Sequence, residues 1–456
     1  MRASESLVSD GLSTTSNPSD SKLVKIAVLV FATLTSIGII IARRPQAVLH
    51  PELWAEDGIV WLHDAYTFGW WNSLWYVHAS YLQLFPRVIA DLSLPFPLTS
   101  TAAIFVWVAI LVQASPVVVL LSSRGRQLVP SIVGRSAIAL IYLNIPNASE
   151  LNATLTNTQW HLALLAFLCL ITVPRTLWGK LFDVAVLVMV CLTGPFGPIL
   201  FVVSSLWLIH QRRAASLERW TSISWLSTGV LSIAQGIIVL AHLGERPIGQ
   251  LGASFHSFVN MIGGQIGIGA LVGANGLAWV DRHSFEWDLK LVAFLALGLV
   301  ALLALVKGPI ALRLLWIYAG AVLLGSLIEP LAPAGSPAWV VAGMPGADTR
   351  YWFSPVLAVL ITLLWGVCSG AKRILKLDSW RSYLPILGGA LCALGLLFTL
   401  VIGLKSFWKY PNLPSVGYRS AVARFERTQI GVTVSIPEEP PSWVFTLSKV
   451  RGRGLQ

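Results

Sequence analysis

Glu56 and Asp57 stand side by side in Trp54-Ala55-Glu56-Asp57-Gly58, a polar stretch that opens about a dozen residues after an apolar run ends at Arg43-Arg44. Adjacent carboxylates repel one another and need water, a cation or a proton nearby. A pair placed beside a membrane-length segment is either solvated surface or a poised acid, base or ligand site. Far along the chain, Arg350 stands in Ala347-Asp348-Thr349-Arg350-Tyr351 at the mouth of another apolar run. A planar guanidinium there matches a pair of phosphate oxygens, although a snorkelling arginine has the same signature. Arg87 and Arg44 are further cations of this kind. A carboxylate that takes the proton of an incoming hydroxyl, with positive charge for a departing phosphate, is what displacement of a phosphate leaving group requires. A divalent metal, Mg or Mn, suits carboxylate oxygens, but two acids in one loop do not complete a coordination shell, and the sequence demands no cofactor.

These residues need a scaffold, and the composition says which kind. With 55% hydrophobic and 12% charged residues and a mean hydropathy of +0.72, the chain reads as an all-α polytopic membrane protein. The net charge of +11 is spread over short loops and forms no stripe, so anionic lipid suits it as a partner and nucleic acid does not. Cys169, Cys191, Cys368 and Cys392 all fall in apolar runs, which implies no disulfide and no metal site.

Hydropathy places about eleven spans, near residues 23–42, 98–121, 136–151, 160–174, 181–194, 196–210, 221–242, 288–306, 310–329, 352–370 and 383–404. Those starting at 136, 160, 181 and 196 are short for a perpendicular crossing and belong inside the bundle. Gly194-Pro195-Phe196-Gly197-Pro198 makes a tight hairpin between two helices. Residues 1–22 are expected to be a disordered cytoplasmic N-terminus, 23–404 the bundle, 43–97 a first external loop and 405–456 a small external tail.

Orientation follows the basic loops. Arg124, Arg126 and Arg135, then Arg175 and Lys180, Arg212, Arg213 and Arg219, Lys307 and Arg313, and Lys372, Arg373, Lys376 and Arg381 mark the cytoplasmic side, whose loops keep only Glu218, Asp378 and a few other acids, leaving the N-terminus inside and the C-terminus outside. Arg43 and Arg44 run against the rule. Glu52, Glu56, Asp57, Asp64, Glu150, Glu245, Asp281, Glu286, Glu329 and Asp348 then gather outside with most histidines. For most of these acids taken singly, plain solvation is the better account.

The first external loop is patterned. Gly58 to Gly69 and Tyr81 to Leu94 have apolar faces at helical spacing and read as interfacial helices, with Trp54, Trp61, Trp70, Trp71, Trp75 and Tyr76 as an aromatic belt. The glycine-rich stretch from Pro247 to Trp279 reads as a re-entrant or interfacial loop. In the tail, Ser415 to Thr428 reads as a basic amphipathic helix and Gly431 to Ile436 and Trp443 to Leu447 as short strands, with capping of the bundle preferred over shaping a site. His78, Tyr81, Gln159, Trp160 and His256 are the candidate lining of an external substrate cavity. Asn147-Ala148-Ser149 and Asn152-Ala153-Thr154 match glycosylation sequons, short strings that recur by chance.

An acidic pair in a first external loop between interfacial helices, a multispan bundle and a late external Arg-Tyr together resemble the GT-C glycosyltransferases, integral membrane enzymes that take sugars from polyprenyl-phosphate donors. The resemblance implies that Glu56 or Asp57 is the essential acid. It also implies that Arg350 meets the donor phosphate, with Tyr351 and Arg87 as further candidates. The pair reads Glu-Asp where many members show Asp-Asp or Asp-Glu, which leaves open which carboxylate works. The stretch Ile436-Pro437-Glu438-Glu439-Pro440-Pro441-Ser442-Trp443 is similar to a proline-tryptophan ending of bacterial cell-surface glycan proteins.

The expected activity is inverting hexosyl or pentosyl transfer from a polyprenyl-phosphate sugar to a glycan or lipid acceptor on the outer face of a bacterial inner membrane. A lipid-linked glycan flippase, which should show internal symmetry and charges at mid-membrane, and a glycan polymerase are the alternatives.

Overall fold

The computed structural model describes residues 22–243, 249–328, 330, 336–374 and 383–450. The expected disorder of 1–21 and the expectations placed on Glu245, Glu329, Lys376, Asp378 and Arg381 lie outside the described residues. The protein is mostly helical with little sheet. Among the described residues eight helices are long and apolar enough to cross a membrane: Ile26–Arg43, Leu98–Leu121, Arg219–Ala241, Phe255–Val280, Glu286–Lys307, Ile310–Ile328, Thr349–Lys372 and Pro385–Phe407. Seven of these coincide with expected spans. The four expected to be short are the helices Ile132–Leu143, Thr158–Leu170, Leu177–Cys191 and Phe196–Arg213.

Phe255–Val280 is the glycine-rich stretch. It winds as a π-helix over Asn260–Ile268 and breaks at Gly273, whose φ of 65° suits a residue without Cβ. Gln265 Nε2 donates to Ala342 O at 2.9 Å, Asn147 Nδ2 donates to Gln265 Oε1 at 2.9 Å, and Asn275 Nδ2 donates to Ser406 O at 2.6 Å. All these partners lie at one end of the bundle. By length and hydropathy the segment qualifies as a membrane span, where the sequence alone reads as a re-entrant or interfacial loop.

Three expectations change. The helix expected to run through 136–151 stops at Leu143, because Pro146 has no N–H to give and Asn147 takes a φ of 52°. Residues 144–157 form instead a buried irregular loop, and both sequon asparagines are spent inside it, 4% and 1% exposed. The helix expected from Tyr81 begins at Leu84. Tyr81–Leu82 pairs with Val77–His78 as a tight hairpin, whose two connecting residues Ala79 and Ser80 both have positive φ as this turn demands. Finally, Trp61 is no belt residue: it is 2% exposed, while Trp70, Trp71, Trp75 and Tyr76 keep open faces.

Trp61 is met by His78, Arg87 and the Thr156 hydroxyl, and the tail packs on its neighbours along the same helix. The helix Tyr418–Arg427 and the antiparallel hairpin Thr433–Glu438 with Trp443–Ser448 lie on the first loop. Phe425, Ile436 and Phe445 share one buried core with Trp61, Leu62 and Tyr66. Each such side chain contributes roughly 1.5–3 kcal/mol on burial, so loop and tail form one small body and not a loop with a loose cap. The two halves also cap each other. Glu52 of the loop accepts from Tyr418 N at 3.1 Å and Ser415 Oγ at 2.8 Å, at the start of the tail helix. Glu438 of the tail accepts from Gly58 N at 2.8 Å and Ile59 N at 3.0 Å, at the start of the loop helix.

The anomalous Arg43 has a structural explanation. Its guanidinium is buried and donates to the carbonyls of Trp408, Leu143 and Ile145, each at 3.0 Å, with the Tyr410 ring 4.0 Å away. A cation spent on tying three segments together is no free surface charge for an orientation rule to count.

Candidate functional site

The helix Asp57–Leu62, continued by His63–Phe68, places the acidic pair at its N-terminus and treats the two carboxylates differently. Asp57 is 2% exposed and tied down. One oxygen accepts from Trp54 N at 3.2 Å and the other from Thr156 N at 2.9 Å, while the Thr156 hydroxyl accepts from Trp61 Nε1 at 2.7 Å. Burial pushes the Asp57 carboxyl up to about 7, against the pull of those hydrogen bonds and helped by the charge of Glu56. Glu56 is half-buried, and its side chain has no hydrogen bond or ion pair among the described residues. Asp57 therefore pins the first loop to the 144–157 loop and leaves its neighbour free.

Beside Glu56 is a cluster from the same loop. His78 packs edge-on against Trp61 with ring centroids 5.4 Å apart. Burial lowers its pKa, with Glu56 and Asp64 opposing and Arg87 adding. Arg87 is 1% exposed, donates to Asp64 Oδ2 at 2.9 Å and lies over the Trp61 ring at 5.1 Å, and its Nε is buried without a partner. Its fork is thus only partly used. The hairpin that carries His78 and Tyr81 is held against the Gly194 turn: Leu82 O accepts from Gly194 N at 3.0 Å and from Gln235 Nε2 at 3.2 Å.

Arg350 is positioned at the start of the Thr349–Ile374 helix and is already engaged. Its Nη1 meets Glu150 Oε2 at 3.2 Å and its Nη2 meets Asp348 Oδ1 at 2.8 Å, with the Tyr351 ring 4.8 Å away. Burial pushes Asp348 up to about 6, Arg350 opposing and Glu150 adding. Trp160 lies 5.8 Å from Tyr351 and 5.1 Å from Phe196, ring to ring, and Gln159 Nε2 reaches Thr156 O at 3.5 Å. One stretch, residues 150–160, thus touches Asp57 through Thr156 and Arg350 through Glu150. His256 is not brought to this group. It is exposed, and its ring stacks on Trp287 at 4.3 Å.

A cavity of about 250 Å³ opens between the loop and the tail, lined by Arg44, Glu52, Asp57, Asn152, Thr154 and Glu439 among others. Arg44 donates from Nη2 to Ser149 O at 3.0 Å, while its Nε is buried without a partner. Burial lowers Arg44 to about 10, opposed by Tyr410, Glu439 and Glu150. Glu439 is fully buried with both carboxylate oxygens unpartnered. Its backbone bridges to the loop, Glu439 N donating to Leu53 O at 2.9 Å and Ala55 N donating to Glu439 O. Burial raises it to about 7, Glu52 adding and Arg44 opposing. Glu438 is raised to about 8 by burial and then by the charge of Asp57. A larger apolar groove of about 820 Å³, lined by Leu271, Val292, Val359 and Phe398 among others, lies elsewhere along the bundle.

Among the described residues no group of three or more His, Cys, Asp or Glu side chains is arranged to hold a metal ion. Of the residues the sequence suggests, Glu56, Asp57, His78 and Arg87 belong to the first loop, and Arg350 meets the 150–160 stretch through Glu150. Sequence reasoning assigned no role to Glu438 and Glu439 or to Thr156. An acidic pair flanked by Pro437, Pro440 and Pro441 was the available signal for the first two, because prolines on both sides stiffen a segment that carries charge. No protein-family model matches this chain, and no curated protein matches it.

Proposed function

We propose that the chain is an integral membrane glycosyltransferase that moves a sugar from a polyprenyl-phosphate donor to a hydroxyl acceptor on the outer face of a bacterial inner membrane, with inversion. The arrangement proposed is eleven spans with the N-terminus inside: the long helices other than Phe255–Val280, which is taken as re-entrant, and the four shorter helices. The observation that carries the reading is the sorting of the acidic pair. Asp57 is consumed by two backbone amides and Glu56 is left with no partner beside His78, at the start of a helix.

In this reading Glu56 is the general base. A carboxylate at that point takes the proton of the acceptor hydroxyl as its oxygen attacks the anomeric carbon, and the bond to the phosphate oxygen breaks on the opposite face. Asp57 is a positioning residue. Arg87, whose Nε has no partner and which lies in the same loop, is the nearer cation for the departing phosphate. Arg350 reaches the reaction already paired with Glu150 and Asp348, and a phosphate would have to compete with both. The exposed Trp70, Trp71 and Trp75 are suited to hold the loop at headgroup depth while the lipid tail stays in the bilayer.

The test uses purified protein in nanodiscs with polyprenyl-phosphate sugars, following release of polyprenyl phosphate. Glu56→Gln is expected to lose about 10²- to 10⁴-fold in rate with its melting temperature unchanged. Bond cleavage that survives this substitution removes Glu56 as the base. Transport of the lipid-linked sugar with no cleavage by the native protein defeats the transferase reading.

A further inference from the structure

We infer that the cavity between the first loop and the tail is a binding site for a neutral, hydroxyl-rich ring, held between Arg44 and Glu439. Calling that ring the acceptor rests on the transfer reading above; calling it a ligand does not.

The case begins with two buried groups that face one cavity and bond to nothing along it. Glu439 presents two acceptor oxygens, fully buried and unpartnered, and Arg44, 4% exposed, keeps an unpartnered Nε–H. They attract each other electrostatically yet form no ion pair. Buried polar groups are satisfied in the great majority of folded proteins, so a donor and an acceptor left open across a shared space mark a place where something else belongs. A hydroxyl is the group that satisfies both, donating to the carboxylate and accepting from the guanidinium.

Charge excludes the competing ligands. An anion would suit Arg44 but would meet Glu52 and, above about pH 7, the charges of Glu439 and Asp57 around the same space, and an ammonium would suit Glu439 but would meet the buried guanidinium. Asn152 and Thr154 add neutral donors and acceptors, and Trp54 and Leu53 supply apolar wall, the mixture that a sugar ring with polar edges and apolar faces requires. About 250 Å³ is room for one small ring and not for a chain. Asp57, which starts the loop helix next to Glu56 in the chain, lines this cavity, while Glu56 itself does not.

The experiment is ligand-observed NMR on the full chain in nanodiscs, with methyl glucopyranoside, methyl mannopyranoside, methyl galactopyranoside and methyl arabinofuranoside as probes and acetate, inorganic phosphate and methylammonium as controls. At least one glycoside is expected to bind and the ionic probes to bind more weakly. Glu439→Met keeps the chain length and the backbone bridge to Leu53 and Ala55 while removing the acceptor, so affinity is expected to fall about tenfold or more with the melting temperature equal or higher. Arg44→Met should weaken the same glycoside. Binding that is equal in the native protein and the Glu439→Met variant, preference for an ionic probe, or no glycoside binding by the native protein overturns the inference; the last result indicates a site that holds water only. The two readings fail separately. Glycoside binding lost in the variant with no sugar transfer by the native protein sinks the transferase and keeps the site. Transfer that persists with no such binding does the reverse.

Discussion

The Asp183 network at one end of the helical bundle and the groups around the first loop and tail at the other handle buried charge in opposite ways, while Arg135, among the same basic loops as Arg124 and 3% exposed, also keeps an unpartnered Nε. At the end where the basic loops gather, Asp183 is 1% exposed and wholly satisfied: Arg124 grips both its oxygens, at 2.6 and 2.9 Å, and Trp220 Nε1 adds a third bond at 3.2 Å. Arg124 in turn reaches the Thr172 hydroxyl at 3.2 Å and the Cys169 carbonyl at 3.3 Å. At the other end, Glu56 has no partner, Glu439 is buried with both oxygens open, and Arg44 and Arg87 each keep an unpartnered Nε. A closed network stiffens a fold and offers nothing to a ligand. An open one costs stability and keeps groups free to meet a ligand.

The comparison is broken most directly by exchanging the expected roles. Glu56→Gln should produce the largest change in rate, about 10²- to 10⁴-fold, and the smallest change in melting temperature. Asp183→Ala should do the reverse. It strands a buried guanidinium and is expected to cost about 3–5 kcal/mol, with the rate per folded molecule unchanged, as read from thermal unfolding and from turnover normalised to folded protein. A large rate loss in Asp183→Ala, with folded protein still present, would show that the closed end takes part in the reaction.

A smaller effect sharpens the comparison within the open end. Glu438 is buried like Glu439, but its two oxygens cap the loop helix. Glu438→Ala is expected to cost about 1–2 kcal/mol and to speed hydrogen exchange at the Gly58 and Ile59 amides. Glu439→Met should do neither. Equal exchange rates at those amides in both variants would mean that the tail, and not its carboxylate, protects them.

Much of this was legible in the chain, and what was not has a common cause. Helix positions followed from hydropathy because a lipid-facing helix must be apolar over its own length, which is local information. The acidic pair and the cations were legible because charge beside a span is rare. The docking of the tail was not. The apolar face from Ile59 to Phe68 shows that the helix needs a cover, and a bilayer surface and a folded tail satisfy the same periodicity. Trp61 was assigned to the membrane surface for that reason. The difference between Glu56 and Asp57 was equally hidden, since it depends on Thr156, which reaches Asp57 only because the preceding helix stops at Leu143 and frees a loop. His256 was grouped with the site on chemical type alone, and nothing in its local sequence reveals that its ring lies on Trp287.

A pH dependence is also expected at the open end. Asp57 is raised from 3.8 to about 7, Glu438 from 4.5 to about 8 and Glu439 from 4.5 to about 7. All three hold protons in the folded body to higher pH than they would once the tail is released. Between about pH 4 and about pH 8 the docked state therefore binds more protons than the undocked one, and its stability falls as pH rises through that window, levelling off on either side. The opposing group is Arg44, which faces Glu439, while Glu56 and Glu52 push the same way as burial. Replacing Glu439 with Met takes one of the three protons out of the balance, so the decline in tail stability, followed by differential scanning fluorimetry from pH 5 to pH 8, should become shallower without changing sign. A profile that is flat in the native protein, or one that rises with pH, would mean that these carboxylates are already ionised where they lie, and Glu439 would then need a cation closer than Arg44 to hold it.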